Sequence, residues 1–556
     1  MTRFHTILTL LLIVFPAMVH GQKPGKDLIL RHGKIWTVDR ALPEAEAVVL
    51  RNGRILAVGA DSMAMSFVAS AERVIDLGGR RVLPGFIDDH AHFMDGGFQL
   101  QNVDLRDAAS IDEFARRIRD RALAQPSRWI TGGDWDHDNW PGGPLPTKES
   151  IDRWTRSTPV FVSRYDGHMA LANSLVLSLA GITRDTPDPP GGTIVRDPRS
   201  GEPTGILKDE AMSAVYRIIP DRSDTERREA ALRALAEARR FGVTSIQDIS
   251  SPADVSLYRE LAAEGLLTAR MYCRQPIGYA EALAARHDSV GSGDEWVRTG
   301  SLKAFADGSL GSSTALFCQP YLSDPSTHGL PSDILLDGRL EQWAVAADRA
   351  HMQLSVHAIG DSANGLILDL FERIVRTNPP WDRRFRIEHA QHIRPGDFAR
   401  FGRLGVIASA QAYHAIDDGR WAEGRIGHER CRTTYAFRTF LDHGVRLAFG
   451  SDWTVAPLNP LTGISAAVTR RTTDGKNPNG WFPEQKLQAT EAIDAYTMTN
   501  AYAAFEENVK GSITPGKFAD VVVLSDDILS VDPGAIADVS VVMTIVGGTI
   551  VYERKE

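Results

Sequence analysis

The 556-residue chain has only three cysteines, Cys273, Cys318 and Cys431, widely spaced and with no C-x-x-C among them. That scarcity excludes a disulfide framework, and an odd set without ligand spacing reads as small core hydrophobes rather than metal ligands or nucleophiles. A basic surplus is also missing: 62 Lys and Arg stand against 71 Asp and Glu, a net charge of -9. Binding a phosphate backbone requires the opposite balance, so nucleic acid is not an expected partner. Long apolar runs are missing as well, apart from one between Ile7 and Val19. At about 13 residues it falls short of the roughly 20 that a spanning helix needs. Preceded by Arg3 and His5 and followed by Val19-His20-Gly21, it reads as a signal peptide over residues 1–21, which predicts a secreted or periplasmic protein without a membrane anchor after cleavage.

What is present is ordinary globular material, 43% hydrophobic and 24% charged, which excludes disordered, collagenous and polytopic membrane classes. The length allows roughly three domain equivalents, or one large barrel with attachments. From Asp27 the chain runs as short strand-like pieces separated by turn residues, and the same texture returns in Asp520-Val521-Val522-Val523-Leu524 and from Val541 to Val551. Two such ends are expected to pair into one small β-sandwich domain, with residues 22–80 as its N-terminal part and 508–556 as its C-terminal part.

Between them, over 81–507, β-branched runs alternate with helical stretches, the pattern of a parallel sheet covered by helices. Eight candidate strands begin near Val82, Val243, Leu267, Gly300, Gln353, Phe385, Gly405 and Val445. The expected fold is therefore α/β, a (β/α)8 TIM barrel. More than 130 residues separate the first two strands, so an insertion is expected at about 104–240. Trp129 to Trp140 and Pro159 to Ala172 within it are strand-like, and Pro187 to Gly205 reads as a Pro/Gly-rich loop.

His90 and His92 stand two apart in a strand-like segment, which points both imidazoles to one side. Further polar residues fall on or just after other strands: Lys303 on the fourth, His357 on the fifth, His389 on the sixth and Asp452 after the eighth. A lysine inside the apolar segment Ser301-Leu302-Lys303-Ala304-Phe305 is driven toward its neutral amine by burial, and a neutral amine combines with carbon dioxide to form a carbamate, an anionic oxygen ligand. Each histidine alone is as readily a satisfied core residue, and Asp452 alone as readily a helix cap; the recurrence at strand ends is what selects the metal reading.

These residues bring a family into view. Leu83-Pro84-Gly85-Phe86-Ile87-Asp88-Asp89-His90-Ala91-His92, Lys303 to Ser312, Val356-His357-Ala358-Ile359-Gly360-Asp361 and Gly450-Ser451-Asp452-Trp453 resemble the amidohydrolase superfamily, and within it the YtcJ-like group that includes N-substituted formamide deformylases. The resemblance implies a metal-dependent amidohydrolase cleaving a C–N bond of a small-molecule substrate. It further implies one or two divalent ions, zinc being the best match, held by His90, His92, His357, His389 and Asp452 with carboxylated Lys303 between them, and Asp452 as general base. His168, in the substrate-side segment Asp166-Gly167-His168, with Trp135 and Trp453, is expected to contact the substrate. A mononuclear deaminase on the same scaffold and a metal-free binding or scaffold protein remain alternatives, and homo-oligomerisation is left open.

Overall fold

The computed structural model describes residues 27–220, 222–286 and 289–555. The expected signal segment, residues 1–21, lies outside the described residues. At the centre stand eight parallel strands: β1 (Phe86–Ala91), β2 (Val243–Ile249), β3 (Arg270–Pro276), β4 (Val297–Phe305), β5 (Leu354–Ala358), β6 (Arg386–His389), β7 (Ile407–Ala410) and β8 (Leu447–Phe449). Each is hydrogen-bonded to the next in chain order, as the alternation of strands and helices predicts. The first and last strands meet through the segment after β8. There the Asp452 amide donates to the His90 carbonyl at 2.6 Å and the His92 amide to the Trp453 carbonyl at 2.8 Å. The bonds that bring the barrel's ends together are thus made by the backbone of four residues singled out from the sequence, His90, His92, Asp452 and Trp453.

Both ends of the chain build the flanking domain. A four-stranded sheet comes wholly from the N-terminal part, and a six-stranded sheet combines Lys34–Trp36, Glu44–Ala45 and Arg81–Pro84 with Val521–Leu524, Val541–Val546 and Thr549–Glu553. Leu30, Val48, Val82, Val521 and Ile545 share the core between the sheets. Fully burying each such side chain is worth roughly 1.5–3 kcal/mol, so the two ends hold together although all three cysteines are free.

The sequence reading ran the first barrel strand from Val82 straight into His90. The structure divides it: Val82, Leu83 and Pro84 pair antiparallel with Val523, Val522 and Val521 in the flanking domain, and the barrel begins at Phe86. Gly85 stands at the switch, where a Cβ would collide with the Thr244 side chain. The insertion carries a five-stranded sheet, in the order Gly192–Arg196, Pro203–Asp209, Met169–Ala172, Val160–Arg164, Ile130–Trp135. The first of these and the start of the second lie in Pro187 to Gly205, which the sequence suggested was a loop. They form a hairpin whose turn is tied by the Asp197 carboxylate, which accepts from the Arg199 and Ser200 amides, chemistry that Pro and Gly counts do not register.

The insertion is tied to the loops of the barrel mouth by polar contacts. The Ser309 hydroxyl donates to Asp166 at 2.6 Å, the Tyr165 hydroxyl to Asp418 at 3.3 Å, and Arg420 and Arg106 reach Asp136 and Asp417 at 2.9 and 3.0 Å. Between insertion and barrel lies a cavity of about 580 Å3.

Candidate metal centre

The cavity floor is formed by residues at the C-terminal ends of the strands, where a (β/α)8 barrel places its chemistry. His90, near the end of β1, is fully buried, and His92 caps the helix that follows. Both Nε2 atoms lie 3.4 Å from Asp452 Oδ1. Lys303, on β4, is buried with its Nζ 3.3 Å from His90 Nε2 and 4.6 Å from the centre of the Phe305 ring. The His389 ring lies 5.1 Å from that of His90 and 4.5 Å from that of His357, and His389 Nδ1 is 4.0 Å from Asp452 Oδ2. The structure therefore brings together all six residues expected as ligands.

Backbone conformation helps aim them. His389 and Asp452 have φ of 71° and 54°, a region that non-glycine residues seldom occupy unless the surroundings impose it. Asp452 is imposed on by the two closing hydrogen bonds. Preceding Gly450 leaves no room for a Cβ, which would meet the His90 amide and the carboxylates of Asp88 and Asp89.

The electrostatics suit cation binding. Burial, reinforced by Lys303, holds His90 well below the ordinary imidazole range, and burial with His357 nearby does the same to His389. Both are neutral and carry a free lone pair. Desolvation pushes the Lys303 amine down to about 7. Burial works to raise Asp452, but the facing imidazoles, His90 foremost, outweigh it and hold the carboxyl well below its usual value. A set of neutral imidazoles, one ionised carboxylate and one neutralisable amine fits a divalent ion such as zinc.

Residues outside the expected set orient these groups. Glu388 is fully buried and accepts from His90 Nδ1, from Arg274 at 2.9 Å, from Arg386 at 2.9 Å and from Ser409 at 2.8 Å. His90 Nδ1 is thereby the protonated nitrogen, leaving Nε2 for a ligand. His389 is oriented in the same way, with Nδ1 2.7 Å from Gln411 Oε1. The sequence held a usable signal for Glu388, a charged residue inside a buried strand beside a candidate ligand.

His414, not singled out from the sequence, is buried in the helix Ala412–Asp418, its ring stacked 6.4 Å from that of His389. His357 lies within the cluster but turns its Nε2 toward the Gly308 carbonyl, at 3.1 Å, and Asp307 Oδ1, at 3.4 Å.

Of the three expected substrate contacts, His168 alone lines the cavity. Its Nδ1 is 2.7 Å from Asp209 Oδ1 and its ring 5.5 Å from that of His357. Trp135 and Trp453 do not line it, and the expectation for them is corrected. Trp135 is fully buried in the insertion core, donating to the Val162 carbonyl at 2.8 Å. Trp453 packs 6.0 Å from Phe93, under a helix whose Gly96 has no room for a Cβ against the indole. Phe98, Phe161, Tyr216 and Trp421 supply the aromatic lining instead.

Residues 73–552 match the family described as the Amidohydrolase family. The chain is 41% identical to Protein LONG AFTER FAR-RED 3 of Arabidopsis thaliana, an alignment covering 95% of this chain and 91% of that protein. It is 32% identical to the putative amidohydrolase YtcJ of Bacillus subtilis (strain 168), covering 94% and 98%, and 27% identical to an N-substituted formamide deformylase of Arthrobacter pascens, covering 95% and 99%. Among solved structures, an uncharacterized metal-dependent hydrolase from Pyrococcus horikoshii OT3 superposes with a TM-score of 0.75 at 28% identity, covering 92% of this chain and 99% of that one.

Proposed function

The chain belongs to the Amidohydrolase family, and from that premise we propose that it hydrolyses a C–N bond, of the amide or N-substituted formamide type, in a small molecule. The observation that carries this reading is the meeting of His90, His92, Lys303, His357, His389 and Asp452 on the floor of one cavity roofed by the insertion. His90, His92 and Asp452 would hold a divalent ion, zinc being the best chemical match, with His389, His357 and Lys303 beside them. When bound, such an ion lowers the pKa of water and polarises a carbonyl oxygen.

The chain's own groups supply the rest. Asp452, ionised and facing the cavity, takes the proton of the attacking water at its carboxylate and returns it to the departing amine nitrogen. Glu388 keeps the His90 proton on Nδ1. His168, held by Asp209 and lining the same cavity, orients the substrate. The Lys303 amine adds to carbon dioxide, its nitrogen lone pair forming the new N–C bond and one N–H proton leaving to solvent, which gives a carbamate anion among the ligands.

A direct test is to load the purified chain with zinc and present N-substituted formamides, N-acyl amino acids, lactams and simple esters. The expected result is amine release from one or more C–N substrates that stops on chelation and returns with the metal. A zinc-loaded protein that cleaves only esters would refute the C–N assignment.

A further inference from the structure

We propose that His414 is a metal ligand, forming with His389 and Asp452 a second binding position that shares Asp452 with the His90–His92 position; this rests on the metal-hydrolase reading above. Among the described residues, the ligand atoms of His389, His414 and Asp452 all lie within 4.8 Å of one another, as do those of His90, His92 and Asp452. Asp452 belongs to both sets, with its Oδ1 3.4 Å from the Nε2 atoms of His90 and His92.

A second observation points the same way. His414 is 7% exposed, lines the cavity, and its Nε2 is buried with no hydrogen-bond partner. An imidazole nitrogen removed from water without a partner is unfavourable, and a cation is the partner that the surrounding chemistry offers. The alternative imidazole is already engaged, since His357 Nε2 sits against Gly308 and Asp307.

His414 is also held in place. Its helix is tied to the insertion through Arg106 and Asp417 and through Tyr165 and Asp418, and to the barrel through Tyr435, whose hydroxyl donates to Asp418 at 2.6 Å. A ligand position after β7 therefore depends on the insertion being seated, a dependence that ligands at the strand ends do not have.

Cobalt(II) titration of the full chain tests this, read by bound equivalents and by the visible d–d spectrum. The unaltered chain is expected to take up two equivalents, and His414→Gln to retain the first and bind the second 10- to 100-fold more weakly. His414→Cys covers the case in which the glutamine variant does not fold. If residue 414 touches the metal, this variant shows a thiolate-to-cobalt charge-transfer band that the unaltered chain lacks. Two unchanged equivalents in His414→Gln, or a folded, cobalt-loaded His414→Cys without that band, would overturn the proposal and leave the hydrolase reading standing. An unaltered chain that binds one equivalent overturns the second position; one that binds none overturns the metal reading itself.

Discussion

Glu388 accepts the Nδ1 proton of His90 while its two oxygens also receive Arg274 and Arg386, so one carboxylate both orients a candidate ligand and neutralises two buried guanidinium groups. All four side chains are fully buried. Burial by itself raises the Glu388 carboxyl, and the two arginines overcome this and hold it well below the usual range. Glu388→Gln is therefore expected to lower metal affinity about 10- to 100-fold, as loss of the group behind a ligating histidine does. It should also destabilise the fold by on the order of 3–5 kcal/mol, because buried Arg274 loses its counter-charge and Arg386 is left with Asp89 alone. Chelator competition and denaturant melts measure the two effects separately.

Lys303→Met preserves the apolar stem and removes the amine. The expected outcome is loss of turnover by at least about 100-fold with little change in melting temperature, since among the described residues the buried amine forms no salt bridge that its replacement would break. Carbon-13 NMR of the unaltered chain in labelled bicarbonate should show a carbamate resonance that Lys303→Met lacks. Normal activity in the variant, or no such resonance in an active, unaltered sample, removes the lysine from the chemistry.

Asp452→Asn keeps the shape of the side chain, and the backbone bond to the His90 carbonyl does not involve the substituted atoms. Turnover should fall by about 100- to 10,000-fold, the usual worth of a positioned proton acceptor. KM should change far less than kcat, a separation that steady-state kinetics resolves.

Asp134 lines the cavity at a strained φ of 52°, is 5% exposed, and has its carboxyl raised by burial to about 7 against an ordinary value of 3.8. The folded chain thus holds this proton more tightly than the unfolded chain. Its contribution to stability is complete below pH 3.8, declines above that, and is gone once pH rises past about 7. Asp134→Asn, which tolerates the same backbone conformation, should relieve the penalty. Between pH 5 and pH 8 the unaltered chain should lose roughly 2–3 kcal/mol relative to the variant. Calorimetric melts of both at each pH check this, and parallel shifts would show that the carboxyl is not the titrating group.

Much of the site was legible before any fold was known. A histidine pair two residues apart must point one way on a strand, and a lysine inside an apolar strand must be buried; both inferences need only local geometry and hold for His90, His92 and Lys303. The orienting residues were harder. Glu388 stands next to a candidate ligand in sequence, yet its task depends on Arg274 from β3 and on His90 from β1. Trp135 and Trp453 illustrate the opposite failure. An indole near a loop satisfies the sequence pattern of a pocket wall and of a core equally, and only the packing against Val162, Phe93 and Gly96 decides between them.

By itself the sequence determined the alternation of strands and helices, the strand-like texture of the two chain ends, and the residue types at the strand termini, because each follows from periodicity over a few residues. Only the tertiary structure decided how the barrel's ends meet, that Asp452 faces two sets of imidazoles, and that His414 approaches with an unpartnered nitrogen. Those relations join residues more than 20, and in the case of His90 and Asp452 more than 300, positions apart in the chain. Interactions at such separations are set by which surfaces the core brings together, and no local pattern encodes that.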